Sequence, residues 1–354
     1  MSKYVATIDA MRWLPKSLID RPLVKLGLPR FGNAVLLSLA ASLPALFASP
    51  ASYAQDFPDG RLVRIVVPGP AGSSMDSSAR AIADPLSKLW GVPVVVDNRP
   101  GGSTIIGTIE VAKAAADGHT LLYASTPIVQ LPHLYRSVPF SPFTSFTPVI
   151  QAVNAPLWFA VGAQVPAKTV QEFVALAKTA PGKYTYGSPG SGSSPHILGS
   201  VLAKNAAIDL LHVPYKGTPP ALNDVVAGEV SSLWAGYSVL AAQARAGKIR
   251  ILASSGLARS SLTPTVPTMK EAGYSGFEAV GFEGFFAPAK TPQPVVDQIA
   301  QAVTKVMAMP EVKARIAGFG LEPVASSPPS FAKFVSGQSE IWKKVIVDGG
   351  VQLQ

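Results

Sequence analysis

The run YGSPGSGSSPHILGS at 186–200 places Ser188, Ser191, Ser193 and Ser194 close to His196, in a glycine- and proline-rich stretch leading into an apolar, helix-like segment. Three readings fit such residues. Small residues opening a helix can hold an anion on backbone N–H groups. A serine beside a histidine can serve acyl transfer. The stretch can also be a plain flexible connection.

Spacing argues against the nucleophile. An elbow of the form Gly-x-Ser-x-Gly is absent from 187–192 and from the second small-residue loop at 69–74. The four histidines, His119, His133, His196 and His212, have neither His-x₃-His nor His-Glu-x-x-His spacing, so no metal site is expected. No phosphate-binding Gly-x₄-Gly-Lys-Ser/Thr run exists, and Gly190-Ser191-Gly192 does not continue to a third glycine; no cofactor is expected. With no cysteine, disulfides and thiolate chemistry are excluded. Asp76 is the main carboxylate near these loops, which leaves paired acid–base work without machinery.

Recognition is what remains. Gly69–Asp76 and Ser188–His196 each run from a strand into a helix, and each offers N–H groups, hydroxyls and the positive end of a helix dipole. Facing one another across a cleft, they would clamp a molecule with carboxylates at its ends. The candidate contacts are Gly72, Ser73, Ser74 and Asp76 from the first loop. The second gives Ser188, Ser191, Gly192, Ser193, Ser194 and His196.

The elements that must position these loops alternate. Arg61–Pro68 reads as a buried strand, Met75–Trp90 as a helix with Ala79, Ile82, Ala83, Leu86 and Leu89 on one face, and Val92–Asp97 as a strand. Ile105–Ala116 is helical and His119–Ala124 a third strand, so this part predicts a parallel sheet with covering helices. A second α/β series follows. It has a long extended run at Val149–Val161, a helix at Thr169–Lys178, strands at Tyr184–Gly187, Leu210–Pro214, Val230–Ala235 and Ile249–Ser254, and helices at His196–Asn205, around Ala221–Ala227 and at Ser238–Ala246. Phe277–Pro288 is extended. The helices Pro294–Met309, Glu311–Gly318 and Pro329–Asp348 have too little strand for a domain of their own and are expected to pack back on the first. The chain then crosses twice between two α/β domains, a clam-shell with a cleft lined by strand-to-helix loops. No internal repeat is evident. The expected domains are 55–153 with 279–354, and 154–278.

Composition bounds the partners. The 354 residues are 48% hydrophobic and 14% charged, ample for two cores. Nearly half of the net charge of +9 lies at the start: the first 54 residues hold six basic and two acidic side chains, leaving 24 basic and 19 acidic beyond them. No arginine-rich run is present, so nucleic acid is not an expected partner. Asn33–Ala48 is apolar, follows basic residues, contains Pro44 and precedes small residues at the −3 and −1 sites of a cut after Ala54. This is a secretory signal pattern, short for a span of ~20 residues. A soluble periplasmic protein starting at Met1 or Met11 is expected.

Several blocks occur in one order: VRIVVPGPAGSSMDSSAR, VVVDNRPGG, YGSPGSGSSPHI, LHVPYKGTPPALNDVVAGEV and GFEGFFAPAKTP. Together they resemble the Bug (Bordetella uptake gene) or TctC-like family of extracytoplasmic solute receptors of tripartite tricarboxylate transporters, over about Phe57 to Gly350. The resemblance implies a type II-like periplasmic-binding-protein clam-shell that binds a small carboxylate and presents it to membrane permease subunits; a monomer is expected. It also adds contacts: Ser125 and Thr126, then Tyr215, Lys216 and Gly217, then Trp234 at a strand end facing the ligand. The chain departs from the family pattern at Gly69 (usually aromatic), Ser73 (usually glycine), Trp234-Ala235-Gly236 (usually Phe-Asp-Asn) and Leu131-Pro132 (usually Asn-Pro). These departures imply an altered pocket, in which Trp234 either stacks on an aromatic ring or fills space. The competing functions are a serine hydrolase using Ser191–Ser194 and His196, and a sensor that signals to a membrane kinase.

Overall fold

Apolar β-branched runs alternating with amphipathic helices fold here into two separate sheets, described by a computed structural model over residues 57–351. The leader and the cut after Ala54 lie outside the described residues.

The first sheet has strand order β11-β4-β10-β3-β1-β2. β1 (Val63–Val67) pairs in parallel with β2 (Val94–Asn98) and β3 (Thr120–Ser125), as the alternation predicts. β10 (Gly281–Pro288) then inserts antiparallel between β3 and β4 (Phe146–Ala155), and β11 (Glu322–Pro323) closes that edge. The second sheet has order β7-β6-β8-β5-β9. β6 (Thr185–Ser188) runs parallel to β7 (Leu211–Pro214) and β8 (Ser232–Ala235). β5 (Trp158–Gly162) is antiparallel to β8 and to β9 (Ile249–Ser254). The extended run at 149–161 is therefore two strands in different sheets, broken at Pro156-Leu157.

Two helices set up the loops of interest. α1 (Ser74–Trp90) starts where the Ser73 hydroxyl accepts from the Asp76 N–H, and stops where Gly91 turns left-handed at φ 67°. It buries Met75, Ala79, Ile82, Ala83 and Leu86, whereas Leu89, on the periodic face, is left exposed in the last turn. α5 (Ser194–Ala206) starts under Ser193 and buries Ile197, Leu198, Val201 and Leu202. Each fully buried side chain of this size contributes about 1.5–3 kcal/mol. α2 (Ile105–Ala112) follows a 3₁₀ turn at Gly102–Thr104. α3 (Pro127–Leu134) has no counterpart in the sequence-based expectation.

The chain passes from sheet one to sheet two after β4 and returns before β10, and the two passages touch. Gly281 pairs with Ala155, and a Cβ at 281 would lie 2.2 Å from the Ala155 carbonyl oxygen. α8 (Gln293–Ala308) and α9 (Pro310–Gly318) pack on the first sheet's side. α10 (Pro328–Gly349) does more than return there. It lies against β4 and α3 and also against α5, with Trp342, Val345 and Ile346 buried in a core that continues through Phe159 and Trp234 of the second sheet.

Candidate functional site

The two small-residue loops share one local structure. Gly72-Ser73-Ser74-Met75-Asp76 and Gly192-Ser193-Ser194-Pro195-His196 begin with a glycine at φ +78° and +79°, a backbone region closed to most side chains. In each, the second residue caps the helix: Ser73 Oγ accepts from Asp76 N at 3.3 Å, and Ser193 Oγ accepts from His196 N at 3.4 Å. In each, the fifth residue reaches back to the glycine N–H, which donates to Asp76 Oδ2 at 2.9 Å and to His196 Nδ1 at 3.0 Å. This is a capping box displaced by one residue. It is a repeat of five residues, too short for the sequence reading to register.

The fifth residues are engaged by their own loops. Burial opposes ionisation of Asp76, but hydrogen bonds from Gly72 and Asn98 and the charge of Arg80 hold it below the usual carboxylate range. Its other oxygen takes the Arg80 Nε at 2.9 Å. His196 accepts at Nδ1, which places its proton on Nε2, and burial pushes its pKa down. Its ring stacks on His212 at 4.0 Å, and His212 in turn on Tyr186 at 5.0 Å. Burial and the neighbouring His196 lower His212 to about 4.

Other candidates brace the loops from behind. The Ser188 hydroxyl is buried between Gly190 and the His212 Nε2, 2.7 Å away. This Ser–His contact is not the pairing of Ser191–Ser194 with His196 that a hydrolase reading requires. Tyr215 donates its N–H to the Ser188 carbonyl and its hydroxyl to Asp224 at 2.6 Å; burial, then Asp224, pushes it up to about 12. Gly217 precedes α6 (Thr218–Ala227) at φ 117°, with Lys216 between it and Tyr215. Beneath α1, Glu283 of β10 accepts from Ser78 and Tyr123, with a further bond from Ser74. Burial raises it to about 6 against those bonds.

Ser125 ends β3, and Thr126 starts α3 by accepting the Val129 and Gln130 N–H groups at its carbonyl. The Thr126 hydroxyl accepts from Phe282 N at 3.1 Å. Of the two roles expected of Trp234, the structure has it filling space. It is fully buried and stacks on Phe277 at 5.5 Å and 10°, with Phe159 beside it, because its side chain faces the core and not the strand end.

A cavity of about 340 Å³ lies between the two halves. One wall is the 189–195 loop, including Ser191, Gly192, Ser193 and Ser194. The other is Ser103 and Thr104 with one face of α3: Pro127, Gln130, Leu131 and Leu134. Gln130 crosses between the walls, its Nε2 donating to Ser194 Oγ at 2.9 Å. Thus the structure brings Ser191–Ser194 to the cavity, and Gly72–Asp76, Tyr215–Gly217 and Trp234 do not line it. Ser103, Thr104 and Gln130 were missed by the sequence reading. A signal existed in the glycine pair of Gly101-Gly102-Ser103-Thr104, which marks an irregular turn; Ser103 and Thr104 sit there at φ 54° and 83°, a strained region for non-glycine residues and above all for the β-branched Thr104. Among the described residues, no acidic, basic or histidine side chain lines the cavity. Among the described residues, no cluster of three or more His, Asp or Glu is placed to hold a metal ion.

A family profile described as "Tripartite tricarboxylate transporter family receptor" matches residues 78–351. A protein from the tcbD–tcbE intergenic region of Pseudomonas sp. strain P51 is 36% identical, covering 81% of this chain and 86% of its own. Among solved structures, the periplasmic binding protein BugD is 32% identical with a TM-score of 0.71, covering 83% and 99% of the two chains. The R. palustris protein Rpa4515, solved with adipate, is 31% identical with a TM-score of 0.74, covering 84% and 99%.

Proposed function

The chain belongs to the tripartite tricarboxylate transporter receptor family, and from that premise we propose that it takes a small organic carboxylate into the cavity between its two sheets. The observation that carries this reading is the 191–194 stretch, where Ser191 and Ser194, whose N–H groups make no hydrogen bond among the described residues, line the cavity at the positive end of α5. The adipate held by the similar R. palustris protein supports the same ligand chemistry.

The two lobes are 55–153 with 279–354, and 154–278. The ligand draws the lobes together, and the protein, a monomer in the periplasm after leader removal, hands its closed form to membrane permease subunits. A ligand that binds only the folded state raises its melting temperature with saturation. A thermal-shift screen of organic acids against the exported protein is expected to give such a rise. A flat response across a broad panel, with the protein folded, overturns the reading.

A further inference from the structure

The two walls of the cavity differ in kind. The 190–194 loop presents the N–H groups and hydroxyls of Ser191 and Ser194, its Gly190, Gly192 and Ser193 N–H groups being engaged within the loop. α3 presents Pro127, Leu131 and Leu134, spaced four and then three residues apart on one helical face. Between them the polar groups are neutral: Ser103, Thr104 and the Gln130 amide. Gln130 is nearly buried and already bonded to Ser194, so its orientation is set before any ligand arrives.

We infer that the site selects monocarboxylates with an apolar body, the carboxylate seated at Ser191–Ser194 and the hydrocarbon against Pro127, Leu131 and Leu134, and discriminates against hydroxylated di- and tricarboxylates. The inference rests on the receptor reading and narrows it. A single carboxylate finds donors at the α5 terminus. A second one turned toward Leu131 and Leu134 loses its hydration without gaining an ionic partner, because among the described residues no cationic side chain lines the cavity. Extra hydroxyls on the ligand meet the same apolar face. A hydrocarbon chain or ring, by contrast, leaves water for a surface of matching polarity.

Titration calorimetry of the exported protein with hexanoate, benzoate, malate and citrate tests this. At least one of the first two is expected to bind about tenfold or more tightly than either polyacid, the discrimination a hydrophobic contact of this size provides. The variant Leu131→Asn, checked for folding by its melting transition, is expected to narrow that ratio several-fold. Malate or citrate binding as tightly as hexanoate and benzoate overturns the inference and leaves the receptor reading standing. An unchanged ratio in a folded Leu131→Asn also overturns it. Should that variant fail to fold, the wild-type ratio decides alone. Binding of none of the four overturns the inference too, and the wider thermal-shift panel then decides whether the receptor reading falls with it.

Discussion

Gln130 on α3 and Ser194 at the first position of α5 are hydrogen-bonded across the cavity at 2.9 Å, so the helix that follows β3 of one sheet is tied to the helix that follows β6 of the other. The pair joins the two halves at the point where a ligand would enter. Gln130→Ala is expected to cost about 0.5–1.5 kcal/mol in urea unfolding and to weaken ligand binding by severalfold. Unchanged affinity would mean that Gln130 only holds the walls together.

The matched caps give a sharper comparison. Ser73→Ala and Ser193→Ala each remove one helix cap and are each expected to destabilise by about 1 kcal/mol. Only Ser193→Ala should weaken binding, because its loop lines the cavity and the Ser73 loop does not. Equal losses of affinity in calorimetry would restore the two-terminus clamp that the sequence suggested.

Stability should respond to pH in two opposing ways. His212 falls to about 4 from 6.5 on folding, so its contribution is full above pH 6.5 and lost as pH falls toward 4. Glu283 rises to about 6 from 4.5, so its contribution is full below pH 4.5 and lost as pH rises through 6. Glu283→Gln removes the second effect. Relative to wild type, the variant is expected to gain stability steadily from pH 4.5 to above 6, measured by urea midpoints at fixed ionic strength. A constant difference across that window would show that the carboxyl ionises in the folded protein at the same pH as in the unfolded chain.

Gly281→Ala places a methyl group against the Ala155 carbonyl, a backbone atom that cannot rotate away. A loss of about 1–3 kcal/mol is expected, as for other overpacked sites. Melting temperature reports it directly.

The sequence carried the loops and most strands because glycine, serine and β-branched runs are local signals. It did not carry α3, since Pro127 and Pro132 fall within its eight residues and proline argues against a helix interior. Pro127 is tolerated at the first turn, and Pro132 within packing against α10, where His133 Nε2 meets Ser339 Oγ at 2.9 Å. The break between β4 and β5 was equally hidden, as both flanks are apolar. Which way the Trp234 ring points was hidden too, because all four residues of β8 are buried and leave no alternation to show it. The Gln130–Ser194 contact joins residues 64 apart and has no local trace.

The side-by-side passages at Ala155 and Gly281 also limit how the halves can move. Two adjacent, hydrogen-bonded ribbons bend readily across their common plane and resist twisting or sliding within it. Any opening is therefore steered as by a leaf flexure, along a single swing axis. In such a motion the α5 loop would approach α3 along one fixed arc.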